Sequence, residues 1–277
     1  MNVGRGLITQ KLKEGEYAGF AVPLEQHTEA VESILVHLFE LAGDEERYLP
    51  ISARLHDKYK PATMRVEEEG NSYTVGFRGH PYKLGFTDFE EEAREPVEVA
   101  LATGVARLHH FLNIRDVDTF IHTLALVKAY LTRNSVQLAL KELRTRVLDG
   151  VVKLHVADMV AGYIEQLLLK TAAGSFTPDV DVIDTESLEH AEPHIPLSIA
   201  VTPRSEGELD VRVVVHGLEQ AVSPRLFSGG STLRLEYQVV EGVFDEKGFT
   251  PASSPPRSFT VNLVLLHKRG LIQGLRP

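Results

Sequence analysis

The chain has 277 residues, 43% of them hydrophobic and 25% charged, a composition typical of globular proteins that bury a sizeable core. Cysteine is absent, which excludes disulfides and thiolate metal sites, and no apolar run reaches the length of about 18 residues that a transmembrane helix needs. The formal net charge of −10 disfavours binding of nucleic acid through the overall field of the protein, although a local basic groove or a delivering partner is still possible. The first 20 residues contain no continuous apolar segment typical of a secretory signal, so the sequence predicts a cytoplasmic protein without membrane partners.

The first two thirds of the chain show helical periodicity. Between residues 25 and 42, for example, Ala30, Ile34 and Leu38 recur at the spacing of one helix face. Residues 72–77 alternate enough for a short strand or hairpin, and Gly79 and Gly85 interrupt the segment that follows. Helices are predicted over residues 25–42, 51–59, 96–111, 118–131, 137–147 and 151–170.

The character of the sequence changes after about residue 172. Residues 173–195 are rich in Pro, Asp, Glu, Ser and Thr with little periodicity, which is typical of a linker. Strand-like runs rich in Val and Leu follow at residues 197–202, 209–216, 232–240 and 258–267. The predicted organisation is a helical domain over residues 1–172, a linker over 173–195 and a β-rich accessory module over 196–277. The fold class is therefore mainly α with a smaller β-rich C-terminal module.

The chain contains 12 histidines, and one of them forms a His56-Asp57 pair that is followed three residues later by Lys60. Such a pair is weak evidence by itself, because a chain this rich in histidine often contains one by chance. It gains weight from an ordered set of imidazoles and carboxylates, which are the ligands that hold one or two divalent metals for phosphate-ester hydrolysis. In chain order the set is His27, His56, Asp57, His80, His109, His110 and Asp158.

Each member of this set also has a less specific interpretation. His27 falls near the apolar stripe of its helix, where it is either a core histidine or an inward-pointing ligand. His80 stands between a glycine that permits unusual backbone angles and a proline that stiffens the chain. The adjacent His109 and His110 end an apolar stripe, with a solvated helix face as the alternative. Asp158 lies within an apolar helical segment, where an ionised carboxylate is costly unless it is paired or bound to a metal.

The order His, His-Asp, His, His-His, Asp resembles the HD-domain phosphohydrolase superfamily, and more narrowly the standalone HD nuclease of type I CRISPR interference systems. The local contexts that carry the resemblance are Leu-Glu-Gln-His-Thr at 24–28, Leu-His-Asp-Lys-Tyr-Lys at 55–60, Gly-His at 79–80, Leu-His-His at 108–110 and Ala-Asp-Met-Val-Ala at 157–161. The resemblance covers residues 24–170 and leaves the β-rich module out. Three residues depart from the pattern: Lys58 replaces the usual apolar residue, Tyr59 replaces the usual glycine, and Pro61 directly follows Lys60.

The resemblance implies a helical HD bundle with two divalent ions, drawn from Mn²⁺, Ni²⁺, Co²⁺, Fe²⁺ or Mg²⁺. The first ion would be bound by His27, His56, Asp57 and Asp158. The second would share Asp57 as a bridge and add His80, His109 and His110. Asp57 and Lys60 would be the catalytic residues, with Lys60 neutralising a phosphate oxygen as a point charge. A surface lysine is the alternative interpretation of Lys60.

The activity implied is hydrolysis of phosphodiester bonds in single-stranded DNA, as a defence endonuclease or exonuclease. A separate helicase and an RNA-guided surveillance complex would be the partners, and the β-rich module could dock one of them. One alternative is an HD hydrolase of nucleotides, a dNTPase or a cyclic-nucleotide phosphodiesterase, although the paired histidines argue against a mononuclear site. A non-catalytic HD-fold subunit is a further alternative, although the completeness of the ligand set argues against such degeneration. A purely structural helical protein is the last alternative.

Overall fold

The computed structural model describes residues 11–12, 19–39, 41, 43, 46–69, 72–77, 79–114, 116–174, 182–184, 197–216, 232–245 and 248–268. Its helices occur in the region where helical periodicity predicts them, and between α3 and α4 the chain runs through short 3₁₀ turns. The helices are α1 (Leu24–Leu38), α2 (Tyr48–Leu55), α3 (Lys60–Thr63), α4 (Pro96–Arg107), α5 (Phe111–Ile114), α6 (Val117–Arg133) and α7 (Leu140–Ala172). Within the described part of the chain, no helix combines the length and the apolar composition needed to cross a bilayer.

The long helix α7 is the centre of the helical part and packs against α1, α2, α4 and α6. The prediction of two helices, ending at residue 147 and restarting at 151, is wrong, because α7 runs unbroken for 33 residues. Gly150 is a packing residue here, since a Cβ at this position would lie 2.6 Å from Val105 Cγ2 and 2.9 Å from Leu49 Cδ2. The missing side chain therefore lets α7 cross α2 and α4 at close range.

The predicted second helix is also shorter than expected. It ends at Leu55, so His56 caps it and Asp57 lies in the turn that follows. Pro61 lies in the first turn of α3, where its missing N–H group has no helical partner to lose. In the same way α4 ends at Arg107, and the His109-His110 pair lies in the turn beyond it.

The strands form two sheets. The small one confirms the predicted hairpin: β3 (Arg65–Glu69) pairs antiparallel with β4 (Ser72–Gly76), and β1 (Lys11–Leu12) pairs with β4 on its other side. The large sheet has the order β2-β8-β10-β7-β6-β5, with β9 also paired to β8, and combines a parallel β7–β10 pair with antiparallel neighbours. Its strands are β2 (Phe20–Ala21), β5 (Val182–Asp184), β6 (Leu197–Ser205), β7 (Glu208–His216), β8 (Thr232–Asp245), β9 (Gly248–Pro251) and β10 (Arg257–Lys268).

The large sheet contains all four strands predicted from the C-terminal sequence, so a helical part with a β module is confirmed as the coarse architecture. The sheet also recruits β2 from the N-terminal region, where Ala21 pairs with Val240. Of the predicted linker, residues 175–181 and 185–195 lie outside the described residues. Val182–Asp184 form the edge strand β5.

The two parts share one hydrophobic core. Apolar side chains of β7, β8 and β10, such as Val239 and Val261, belong to the same buried cluster as those of α1 and α7. Polar contacts also cross the boundary: the Gln238 backbone N–H donates to Gln26 Oε1 over 2.7 Å, and Arg257 donates to the Ala172 carbonyl over 2.6 Å. The β module therefore packs directly behind α1, beside the first of the candidate ligands.

Substitution of Gly150 by alanine tests the close helix crossing. We expect Gly150→Ala to lower the free energy of unfolding by about 1–3 kcal/mol, because the new Cβ overpacks the contact with Val105 and Leu49. Gly162→Ala is the matched control, since this glycine lies in the same helix with no heavy atom within 4 Å of a Cβ. We expect the control to raise the free energy of unfolding by up to about 1 kcal/mol through helix propensity. Equal effects in urea denaturation would contradict the packed crossing.

Candidate metal centre

The helical part brings all the predicted ligand residues together in one place. His27 projects from α1, the His56-Asp57 pair follows α2, and Asp158 projects from α7. His80 lies in the turn after β4, where Gly79 has a φ of 80°, a left-handed angle that favours glycine. The paired histidines complete the cluster from the turn after α4, with the ring centroids of His109 and His110 3.9 Å apart.

Asp57 lies at the centre of the cluster with no exposed surface. Its Oδ2 atom is 3.4 Å from His27 Nε2 and 3.3 Å from His56 Nε2. Its Oδ1 atom is 2.9 Å from His80 Nε2 and 3.7 Å from His109 Nε2. Each carboxylate oxygen therefore faces the imidazoles of a different pair of histidines.

Backbone carbonyls determine which imidazole nitrogen carries the proton. The Nδ1 atoms of His56, His80 and His109 each lie 2.7 Å from the carbonyl oxygen three residues earlier in the chain. A carbonyl can only accept, so in each ring Nδ1 is the donor. In the neutral imidazole the Nε2 atom then presents a lone pair, and all three lone pairs point towards Asp57.

This arrangement places several hydrogen-bond acceptors around Asp57 with few donors between them. His80 Nε2 and His109 Nε2 lie 3.4 Å apart, and with both protons on Nδ1 neither can donate to the other. Among the described residues, Asp57 Oδ1 and His56 Nε2 are buried acceptors with no hydrogen-bond donor. Buried acceptors in this state are costly, and a bound cation would satisfy several of them at once. The donor set of imidazole nitrogen and carboxylate oxygen fits a divalent transition metal.

The cluster divides into two overlapping groups around Asp57. On the Oδ2 side, Asp158 Oδ1 lies 3.2 Å from His27 Nε2 and 3.9 Å from His56 Nε2. On the Oδ1 side, ligand atoms of His80, His109 and His110 all lie within 4.8 Å of one another. A third group of His56, His109 and Asp158 meets the same criterion and connects the two sides. The buried histidines and Asp57 could therefore hold a metal ion.

Lys60 is buried beside Asp57 and is not a surface lysine, with only 7% of its surface exposed. Its ammonium group forms an ion pair with Asp57 Oδ2. Burial by itself would raise the pKa of Asp57, but the neighbouring His56 and Lys60 outweigh burial and hold that pKa well below its usual range. Asp57 is therefore a carboxylate anion, the form that binds metals.

Glu165 belongs to the site and was missed by the sequence analysis. It has no exposed surface, and His27 Nδ1 lies 3.1 Å from each of its two carboxylate oxygens. It follows Asp158 by two turns of α7, so both carboxylates lie on one helix face. The signal that could have found it is the one used for Asp158, a carboxylate within an apolar helical run. Such a partner fixes the ring of a ligating histidine and raises its basicity.

The environment sets the protonation of the histidines differently across the site. Burial acts to lower the pKa of His27, but Glu165, with Asp158 and Asp57, outweighs it and raises that pKa well above the ordinary value. Burial lowers the pKa of His109 well below its ordinary value and that of His110 to about 4, so both rings are neutral at pH 7. Neutral imidazole is the form that binds a metal.

Lys58 and Tyr59, two of the three residues that depart from the HD pattern, hold the segment after His80. Lys58 Nζ lies 2.7 Å from Asp88 Oδ1, and the Tyr59 hydroxyl donates to the same oxygen over 2.9 Å. Asp88 Oδ2 in turn accepts the Gly85 backbone N–H over 2.8 Å. Lys58 and Tyr59 therefore tie the chain that follows Asp57 to the turn that follows His80.

Most of the cluster is shielded from water. His27, His56, Asp57, His80 and His109 are all buried. Asp158, with 19% of its side chain exposed, and the partly buried His110 are the members that solvent reaches. No protein-family model matches the sequence, and neither a curated protein nor a solved structure matches it either. The chemistry of the site is therefore inferred from its own geometry.

The contribution of Glu165 can be measured by neutralising its charge. We expect Glu165→Gln to weaken Mn²⁺ binding by about 10–100-fold in calorimetry, because His27 loses the carboxylate that orients its ring. Gln166→Ala is the matched control, since Gln166 is the next residue in α7 and is exposed. An unchanged affinity in Glu165→Gln would show that His27 does not depend on this partner.

The raised pKa of His27 predicts that metal binding releases a proton. At pH 7 the imidazole is charged, and a metal at Nε2 must displace the proton there. Because one proton is released per bound ion, the affinity for Mn²⁺ should fall about tenfold for each pH unit below 7. Titration of Mn²⁺ at pH 7 in buffers of different ionisation enthalpy would show this release, and His27→Ala should remove it. Buffer-independent enthalpies in the unaltered protein would contradict the prediction.

Proposed function

We propose that this chain is an HD-type, metal-dependent nuclease that hydrolyses phosphodiester bonds of single-stranded DNA with two divalent ions. The observation that carries the proposal is the position of Asp57, whose two oxygens face separate histidine groups at distances of 2.9–3.7 Å. A bridging carboxylate between two sets of ligands is what a two-metal hydrolase requires. The helical setting and the chain order of the ligands support an HD domain.

The proposed ligand groups are those that the HD resemblance implies. His27, His56, Asp57 Oδ2 and Asp158 would hold one ion, and Asp57 Oδ1 with His80, His109 and His110 would hold the other. Divalent ions in such a site lower the pKa of water and stabilise charge on a reacting phosphate. An imidazole-rich set favours Mn²⁺, Fe²⁺, Co²⁺ or Ni²⁺ over Mg²⁺.

The chain's own residues also suggest how a phosphate would be received. The partly exposed Asp158 and His110 lie where solvent reaches the cluster, so a phosphodiester would enter on that side. Lys60 holds a positive charge against Asp57 inside the site, and it can shift towards a phosphate oxygen as a point charge. Asp57 and Lys60 are the proposed catalytic residues.

The proposed substrate is delivered by partners. A net charge of −10 gives the chain little attraction for DNA at long range. This supports a strand supplied by a separate helicase and an RNA-guided surveillance complex, as in CRISPR interference against invading DNA in the cytoplasm. An enzyme supplied in this way needs a reactive centre more than a large basic surface.

Circular single-stranded DNA tests the proposal. Metal-stripped protein is incubated with the circle and Mn²⁺, Ni²⁺ or Mg²⁺, beside a panel of dNTPs and cyclic nucleotides. We expect the circle to be degraded with Mn²⁺ or Ni²⁺, and His109→Ala and Asp57→Asn to lose at least about 100-fold in rate. His122→Ala is the matched control, because this histidine is exposed on α6.

Three outcomes would contradict the proposal. Turnover of nucleotides without cleavage of DNA would indicate an HD nucleotide hydrolase. Metal binding without turnover of either class would indicate a non-catalytic subunit. Cleavage that survives Asp57→Asn would show that the activity comes from elsewhere.

A further inference from the structure

A second feature is an open groove of about 920 Å³ that runs between α6 and the start of α7. Its walls are apolar, and several wall residues are unusually exposed for their type. Val117 and Ile121 are each 59% exposed and Leu140 is 60% exposed. A contiguous apolar surface of this kind on a folded protein marks an interaction site.

The shape of the groove follows α6 from end to end. Residues from Val117 to Arg133 line it at the i, i+3, i+4 and i+7 spacing of one helix face, a length of about 24 Å. The adjoining face of α6, which includes Val127 and Leu131, is buried in the core together with Phe120 and Leu124, which also line the groove. An amphipathic helix normally turns polar residues to the outside, so the exposed Val117 and Ile121 extend the apolar face of α6 beyond the part that its core buries.

The charges at the groove have one sign. Lys128, Arg133 and Arg144 are among the lining residues, and no acidic residue of the described chain lines the groove with them. Arg133 and Arg144 are exposed, and within the described residues neither forms a hydrogen bond or an ion pair. This basic rim stands out on a protein with a net charge of −10. Its complement is an apolar surface flanked by carboxylates.

We propose that this groove binds an amphipathic α-helix of a partner protein, with apolar residues along the groove and acidic residues beside Arg133 and Arg144. A straight apolar channel of four to five turns is the form of a helix-in-groove site. A membrane surface fits less well, because the apolar residues line a concave channel and the chain is acidic overall. Asp158 lies 14 residues further along α7 than Arg144, a rise of about 21 Å along the helix axis.

Two synthetic peptides test this docking site on the full chain. Both are 16-residue helices with leucine at i, i+3, i+4 and i+7, and one carries glutamate where the other carries lysine on the flanks. By fluorescence anisotropy we expect the glutamate peptide to bind at least about tenfold more tightly than the lysine peptide. The double variant Arg133→Glu with Arg144→Glu should reverse this preference.

A substitution in the apolar wall provides the second arm. Ile121→Glu should abolish binding of the glutamate peptide, whereas Val243→Glu, at a residue 66% exposed on β8, should leave binding unchanged. Thermal unfolding and Mn²⁺ affinity of each variant report whether the fold and the metal centre are intact. Equal binding of both peptides, or binding of neither, would overturn the proposal. Self-association of the chain that Ile121→Glu removes would also overturn it, because a second copy would then occupy the groove.

Discussion

A fully buried carboxylate surrounded by imidazole lone pairs is the constraint on which this structure depends. Asp57 is ionised, and the histidine nitrogens closest to it are acceptors wherever a carbonyl holds the ring proton on Nδ1. Lys60 compensates the negative charge at Oδ2 through an ion pair, whereas Oδ1 lies 2.9 Å from His80 Nε2 and 3.7 Å from His109 Nε2. The fold therefore brings buried acceptors together around one carboxylate, and a bound cation would offset the part of that cost that Lys60 leaves.

Helix ends provide the rigidity that holds these groups in place. The last carbonyls of a helix have no partner within the helix. The imidazoles of His56 and His109 satisfy two of them, at the ends of α2 and α4. The same bond that completes the helix end thus orients the ligand nitrogen. The close crossing at Gly150 then keeps α2 and α4 against α7, which carries Asp158 and Glu165 further along. The packing of these helices consequently also determines the positions of the ligand residues.

Much of the site could be predicted because ligand residues stood in sequence contexts that packing alone does not explain. Asp158 was recognisable because it is a carboxylate within an apolar helical run. Glu165 meets the same criterion, which was not applied to it. The unbroken helix through Gly150 could not be predicted from local sequence. The glycine is required by close packing against Val105 and Leu49, which are far away in the chain. The pairing of β2 with β8 was equally hidden, because a strand as short as Phe20–Ala21 has no periodicity to detect.

The two sides of Asp57 differ in chemistry, which has consequences for the proposed two-ion site. The Oδ2 side combines two imidazoles with Asp158, and it also contains Lys60 and the His27–Glu165 pair. The Oδ1 side consists of His80, His109 and His110 around a single carboxylate oxygen. Oxygen ligands suit hard ions, and imidazoles suit Mn²⁺ through Ni²⁺ in rising order of affinity. Lys60 must also yield its contact with Oδ2 before an ion can use that oxygen fully. In the proposed two-ion site, the histidine-rich side would therefore select the metal, and occupancy of the Asp158 side would depend on the movement of the Lys60 charge.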